Sequence, residues 1–304
     1  TGSNATDRFA FGGQATHTGG TSVTNAVLQV GDGAGNTFND HSGALALDAN
    51  STLEINPGTS GTITSTITSA GTIKNISSQD VTLSNISAHT GPTSVASDGS
   101  ITFDVASGRT LNLSGSITGG GQVVKTGTGQ LELRGNNSFS GGLRLAAGNT
   151  KIYGSSPIPL AGTLQFGGSS VLFVEDVTTD YSGIMRFDSS SSYLRIHVPA
   201  GNSYTMESSI TSQTGGILSK RGDGKLILGA NFDFGGGAAI YGGDLVIGTG
   251  GTSGRLNLSN ANFTFYNTGA RYIYNRSAAV TKTHPFKVAN SSASVLLIIL
   301  AGVL

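Results

Sequence analysis

The sequence predicts an all-β protein, a parallel β-helix (β-solenoid) of short strands with glycine-rich corners. Three observations predict it. Apolar residues recur at every second position in short runs, and no stretch keeps helical spacing over a helix length. Gly, Asn, Asp or Ser bound nearly every run, as turns require. A block of the chain also repeats itself, Lys125 to Leu133 recurring at Lys220 to Leu228, and a period that long fits several solenoid coils rather than one.

Composition narrows the class. Of 304 residues 47 are Gly, about twice ordinary usage. Charged residues make up 11%, and 17 Lys+Arg cancel 17 Asp+Glu. Collagen would need Gly at every third position with abundant Pro. A nucleic-acid binder would need excess Lys and Arg, so no nucleic-acid partner is expected. A disordered chain would be less hydrophobic than 37% and carry net charge. The absence of Cys excludes disulfides and thiolate metal sites, and it suits an exported protein. Thr1 in place of Met indicates a processed or partial chain, and no signal peptide is visible.

In chain order, residues 1–99 read as N-terminal solenoid coils. Ala44 to Asp48 and Thr52 to Ile55 alternate there, so one strand face is buried and the other solvated. Residues 100–248 read as coils carrying the repeat, with alternating runs at Thr110 to Leu113, Gln130 to Leu133 and Lys225 to Leu228. Residues 249–304 read as C-terminal coils ending in an apolar strand. Strands of about four residues with short turns suit coils of ~20–25 residues stacked ~4.8 Å apart. A β-sandwich is the alternative.

The repeat aligns in detail. FDVASGRTLNLSGSITGGGQVVKTGTGQLEL (Phe103 to Leu133) matches IHVPAGNSYTMESSITSQTGGILSKRGDGKLIL (Ile196 to Leu228) with a two-residue insertion in the second copy. Val105, Gly108 and Ile117 fall on Val198, Gly201 and Ile210. Lys125, Gly127, Gly129, Leu131 and Leu133 fall on Lys220, Gly222, Gly224, Leu226 and Leu228. Asn136, Phe139, Gly141 and Gly142 fall on Asn231, Phe234, Gly236 and Gly237. The string from Lys125 to Gly142, continuing to Ala147-Gly148, resembles the autotransporter-associated β-strand repeat, K-x-G-x-G-x-L-x-L-x-G-x-N-x-[YF]-x-G-G followed by a short strand and A-G-x-L. The second copy departs by Gly242-Gly243 for Ala-Gly and by Gly229-Ala230 for Arg134-Gly135. The first 100 residues and the last 50 share the style without the motif. The resemblance implies a right-handed parallel β-helix from a bacterial surface or secreted passenger. It brings no catalytic residues to carry over, and too little chain follows the repeats for the family's translocator barrel. Lys125 and Lys220 are expected either to neutralise a carboxylate or to cap a coil edge.

The terminal run from Val295 to Leu304 is entirely apolar but about half the length of a membrane helix, so no membrane span is expected within the chain. It reads as a truncated membrane segment, a strand buried on both faces, a strand docking on a neighbouring copy, or an unreliable end of the sequence. On the docking reading Val295, Leu296, Leu297, Ile298, Ile299, Leu300, Val303 and Leu304 form a subunit contact, because an open solenoid end templates another chain.

No catalytic, cofactor-binding or metal-binding residues are assigned. His17, His41, His89, His197 and His284 lack ligand spacing and read as exposed or turn histidines. Asp40-His41 and Glu175-Asp176 are neighbours that a strand points to opposite faces. Asp80, Asp104, Asp188 and Glu207 stand alone. Gly31-Asp32-Gly33 and Gly222-Asp223-Gly224 carry too little charge for calcium and read as tight turns. Gly119 to Gly121 and Gly235 to Gly237 read as coil corners, not phosphate loops. Asn75, Asn85, Asn112, Asn257 and Asn262 begin N-x-[ST] triplets. In the cluster Phe263, Phe265, Tyr266, Tyr272 and Tyr274, the two Phe share a face opposite Tyr266, offering core stacking or a sugar-binding or subunit-contact surface. The expected function is that of a non-catalytic extracellular or cell-surface solenoid without cofactor, self-associating end to end into a filament. A monomeric adhesin binding glycans is the alternative, and a carbohydrate-active enzyme a more distant one.

Overall fold

A computed structural model describes residues 2–4, 6–12, 19–34, 43–154, 158–159, 161–188, 193–213, 216–258, 263–277, 286–288 and 296–300. The described secondary structure is strand throughout, apart from one 3-10 turn at Ser182–Ile184. Most strands run three to five residues, and Leu143–Tyr153 and Leu164–Glu175 are longer. Every described strand pairing is parallel. Parallel neighbours cannot be joined by a hairpin. Here the rest of each coil supplies the crossover, so the fold is the parallel β-solenoid that the sequence predicts and not a sandwich. The chain forms two compact units, Thr1–Lys151 with Ser156–Thr163 and Ile152–Ser155 with Leu164–Leu304.

In the first unit one wall runs through Arg8–Phe11, Val27–Val30, Thr52–Ile55, Thr72–Asn75, Thr93–Val95 and Ile117–Gly119. Arg8 pairs with Val27, Val27 with Thr52 and Thr52 with Thr72; Ile73 then pairs with Thr93 and Thr93 with Ile117. Each coil therefore takes roughly the 20–25 residues expected of a solenoid turn. A second wall joins Thr21–Val23, Leu45–Leu47, Ile67–Ser69, Ile86–His89, Thr110–Leu113 and Gln130–Leu133. A third joins Gly61–Ile63, Asp80–Leu83, Ser100–Asp104, Gln122–Thr126 and the start of Leu143–Tyr153. The alternating runs turn their apolar members inward. Leu45 and Leu47 are buried around an exposed Ala46, and Leu111 and Leu113 around an exposed Asn112. Leu53, Ile73, Val95, Ile101 and Phe103 are fully buried; each such side chain contributes about 1.5–3 kcal/mol.

The second unit repeats the scheme. Leu164–Glu175, Tyr193–His197, Ile217–Arg221, Gly237–Ile240, Phe263–Phe265 and Phe286–Val288 stack as one wall. Ser203–Met206, Lys225–Leu228, Asp244–Ile247, Arg271–Asn275 and Leu296–Leu300 make another. Ile210–Gln213, Asn231–Phe234 and Arg255–Asn257 make a third. Leu194, Ile196, Tyr204, Leu226, Leu228, Phe232 and Phe234 fill the interior. Of the apolar terminal run, Leu296–Leu300 forms a further rung beside Arg271–Asn275, while Val295, Val303 and Leu304 lie outside the described residues.

Candidate functional site

Lys125 and Lys220 occupy inward positions. Lys125 stands in register between Phe103 and Leu145, and Lys220 between Ile196 and Ile240. Both are fully buried. The stem packs as an apolar chain, and the ammonium turns to the coil corner. Lys125 Nζ donates to the carbonyls of Thr126 at 2.5 Å, Gly127 at 2.8 Å and, one coil on, Ala147 at 3.2 Å. Lys220 Nζ donates to Arg221 at 2.9 Å, Gly222 at 2.6 Å and Gly242 at 2.9 Å. Burial draws each ammonium down to about 8, offset in part by Asp104 for Lys125 and by Asp223 and Asp244 for Lys220. Of the two roles open to these lysines, the geometry is that of a cap: three donors meet three backbone carbonyls, and one of the three belongs to the next coil.

The motif glycines build the corner. Gly127 and Gly222 have φ of 69° and 72°. A Cβ on Gly129 would lie 2.2 Å from the Ala106 carbonyl, and on Gly224 2.0 Å from that of Pro199. Leu131, Leu133, Phe139, Leu226, Leu228 and Phe234 are buried, whereas Asn136 and Asn231 are exposed. Gly142 and Gly237 turn the chain with φ of 90° and 109°, and Gly141 and Gly236 precede them.

The walls also carry outward columns. In the first unit Gln29, Glu54 and Lys74 stand in register, and Arg8 reaches Glu54 at 2.6 Å. In the second unit Phe173, His197 and Arg221 stand in register. Tyr241 and Tyr266 continue the column, each following a residue paired across the same wall, Ile240 and Phe265. Phe173 stacks on His197 at 4.3 Å, the Arg221 guanidinium lies 4.6 Å from the Tyr241 ring centre, and Tyr241 stacks on Tyr266 at 4.3 Å with planes 3° apart. Beside it the Arg195 guanidinium lies 4.0 Å from the Tyr193 ring centre and donates to the Gly168 carbonyl. Burial, and then the neighbouring Arg221 charge, lower the Arg195 pKa. The sequence pointed to Tyr266 and the buried Phe263 and Phe265, but not to Tyr241, Arg195 or Arg221, which join only through coil stacking.

Other candidates separate. His89 is buried rather than exposed or in an open turn: it lies on a wall strand, its Nε2 2.9 Å from Thr93 Oγ1. Burial pushes its pKa down to about 4. His197 lies in the column, while His17, His41, His284, Asp40 and Asn262 fall outside the described residues. Asp104 accepts from Thr126 Oγ1 at 3.0 Å. Glu207 opens on a polar cleft with Arg255 and Arg276. Asn75 is buried, and its amide donates to the Gln79 and Ser100 carbonyls at 2.8 and 2.9 Å, so it is sealed from modification. Asp32 closes a tight turn by accepting from the Ala34 N–H at 2.9 Å. Phe263 packs edge-on against Tyr272, whose hydroxyl meets that of Tyr274 at 3.2 Å. Among the described residues no three His, Asp or Glu side chains converge as a metal site would require, and no helix is long and apolar enough to cross a membrane.

Comparison with known proteins adds a family. The passenger-associated-transport-repeat family matches residues 6–30, 123–150 and 218–247. The latter two matches coincide with the two copies found in the sequence. The first corrects the reading that residues 1–99 lack the motif; its Gly19-Gly20 pair precedes the strand Thr21–Val23, but no Lys-x-Gly-x-Gly string stands before it. The chain is also similar to the adhesin BmaC autotransporter of Brucella suis biovar 1 (strain 1330), 30% identical over 156 residues, 51% of this chain and 4% of that protein. No solved structure gives a significant match. Three segments of this parallel β-solenoid are thus similar to the passenger-associated-transport repeat, in keeping with the autotransporter-associated repeat that the sequence resembles.

Proposed function

We propose that this chain is a non-catalytic segment of an autotransporter passenger, displayed outside a bacterial cell and acting in adhesion. The observation that carries the reading is the repeat itself: two matching copies, each closing a coil with a buried lysine cap. Such caps serve coil stacking, since each ammonium is committed to three backbone carbonyls. The adhesin relative supports the same reading, and the neutral Ser/Thr/Asn/Gly-rich surface suits an extracellular partner. External protease treatment of intact cells making the native protein tests it. Digestion without lysis is expected, together with reduced attachment to host surfaces when the coding region is deleted. Digestion only after lysis overturns it.

End-to-end association into a filament is a second reading, favoured by the strand Leu296–Leu300. It pairs with Arg271–Asn275, and its five residues are all Leu or Ile. Light scattering over a concentration series decides: growth of long assemblies, abolished by Ile298→Lys, supports the filament, and a constant mass removes it.

A further inference from the structure

We infer that the outward column of the second unit is a binding site for an acidic glycan, an extended sugar chain bearing carboxylate or sulfate groups. The column presents His197, Arg221, Tyr241 and Tyr266 on consecutive coils, flanked by Tyr193 and Arg195. Coil spacing places these groups about 4.8 Å apart, a linear array suited to a polymer laid along the wall. Two guanidiniums face the same strip, and among the described residues neither has a carboxylate partner. Two neighbouring cations left unpaired on a half-buried face await an external anion. Glu175 and Asp223 lie near the His197 end, so the positive centre is at Arg195 and Arg221.

Two further details describe the strip. The Ser219 hydroxyl, one residue from Lys220 on the same strand, is buried without a hydrogen-bond partner, and so is Arg221 Nε. Tyr241 and Tyr266 stack face to face, and the Arg221 guanidinium lies over the Tyr241 ring. The strip therefore offers hydrogen-bonding groups for sugar hydroxyls next to cations for acid groups. Nucleic acid fits less well, since a chain of zero net charge gives no long-range attraction to a polyphosphate.

The site rests on the surface-display reading for its biological meaning, but its binding is measured on the purified full chain. Calorimetry or biolayer interferometry with a heparin oligosaccharide, an oligogalacturonate and neutral dextran is the test. Binding to at least one acidic probe, weakened by salt and absent with dextran, is expected; the tighter probe distinguishes sulfate from carboxylate. Arg195→Gln and Arg221→Gln should each weaken binding by roughly tenfold or more, while Arg134→Gln, in the first unit, should not. Arg195→Gln removes a group whose contacts are one carbonyl and one ring, so it decides alone if Arg221→Gln does not fold. Equal response to dextran, or wild-type affinity in Arg195→Gln, overturns the site. Either result leaves the protease-accessibility test of surface display standing by itself.

Discussion

Lys125 shows how a charged residue enters a solenoid core. Replacing a buried ion by an apolar group is often neutral when both partners go together. Here the partners are backbone carbonyls and cannot be removed. Lys125→Met should keep the stem's packing and strand the Thr126, Gly127 and Ala147 oxygens, costing about 3 kcal/mol or more. Lys220→Met should behave alike. Urea unfolding measures both, and a loss below about 1 kcal/mol would remove the cap from the account. His89 supplies a pH dependence. Burial holds its folded pKa at about 4, below the ordinary value of 6.5. The unfolded chain therefore takes up a proton, as pH falls from 6.5 towards 4, that the folded chain refuses. The stability of the neutral imidazole is complete above pH 6.5 and is lost through that window, by roughly 3 kcal/mol. Unfolding measured at pH 7 and pH 4.5 should show the drop, and His89→Gln should flatten it.

At the scale of the strand and corner, glycine position decides how closely coils approach. Gly127 combines φ of 69° with a site where a Cβ would stand 2.3 Å from the Val105 carbonyl, whereas Gly108, with φ of 73°, has open space. Gly108→Ala should cost only the left-handed penalty, about 1–2 kcal/mol. Gly127→Ala should cost clearly more, since the neighbouring coil must move. Equal melting temperatures for the two variants would contradict the coil-contact argument. This level was also where the sequence was most legible. Alternation in Leu45–Leu47 and Thr110–Leu113 marks the buried face because a strand has period two. The spacing Lys125-x-Gly127-x-Gly129 marks a corner because both glycines answer steric demands of the backbone. What the sequence hides depends on stacking between coils. Arg195, Arg221 and Tyr241 are ordinary residues in a linear string and form a column only after register is set. His89 likewise resembles a turn residue, until its strand pairs between Ile67–Ser69 and Thr110–Leu113. The repeat match at residues 6–30 escaped because it lacks the Lys-x-Gly-x-Gly signal.

Over the whole molecule, the low charge content decides what stabilises the fold. The ion pairs Arg8–Glu54, Lys74–Glu54, Arg134–Glu132 and Arg271–Asp244 each leave the cation 40–49% exposed. Pairs of that kind are worth ~0–1 kcal/mol each and are screened by salt. Against them stand ladders of parallel backbone hydrogen bonds and an apolar interior in which Leu53, Ile73, Phe103, Leu131, Leu226 and Phe265 are sealed from water. Hydrophobic burial does not weaken as salt screens charge, and kosmotropic anions strengthen it. A net charge of zero also removes the self-repulsion that salt would relieve. Thermal unfolding at pH 7 should therefore shift by only a few degrees between about 10 mM and 1 M NaCl, a range over which the Debye length falls from ~30 Å to ~3 Å. Sodium sulfate should raise the midpoint. A steep fall with NaCl would mean that charge pairing carries the fold, and that the apolar columns contribute less than their burial implies.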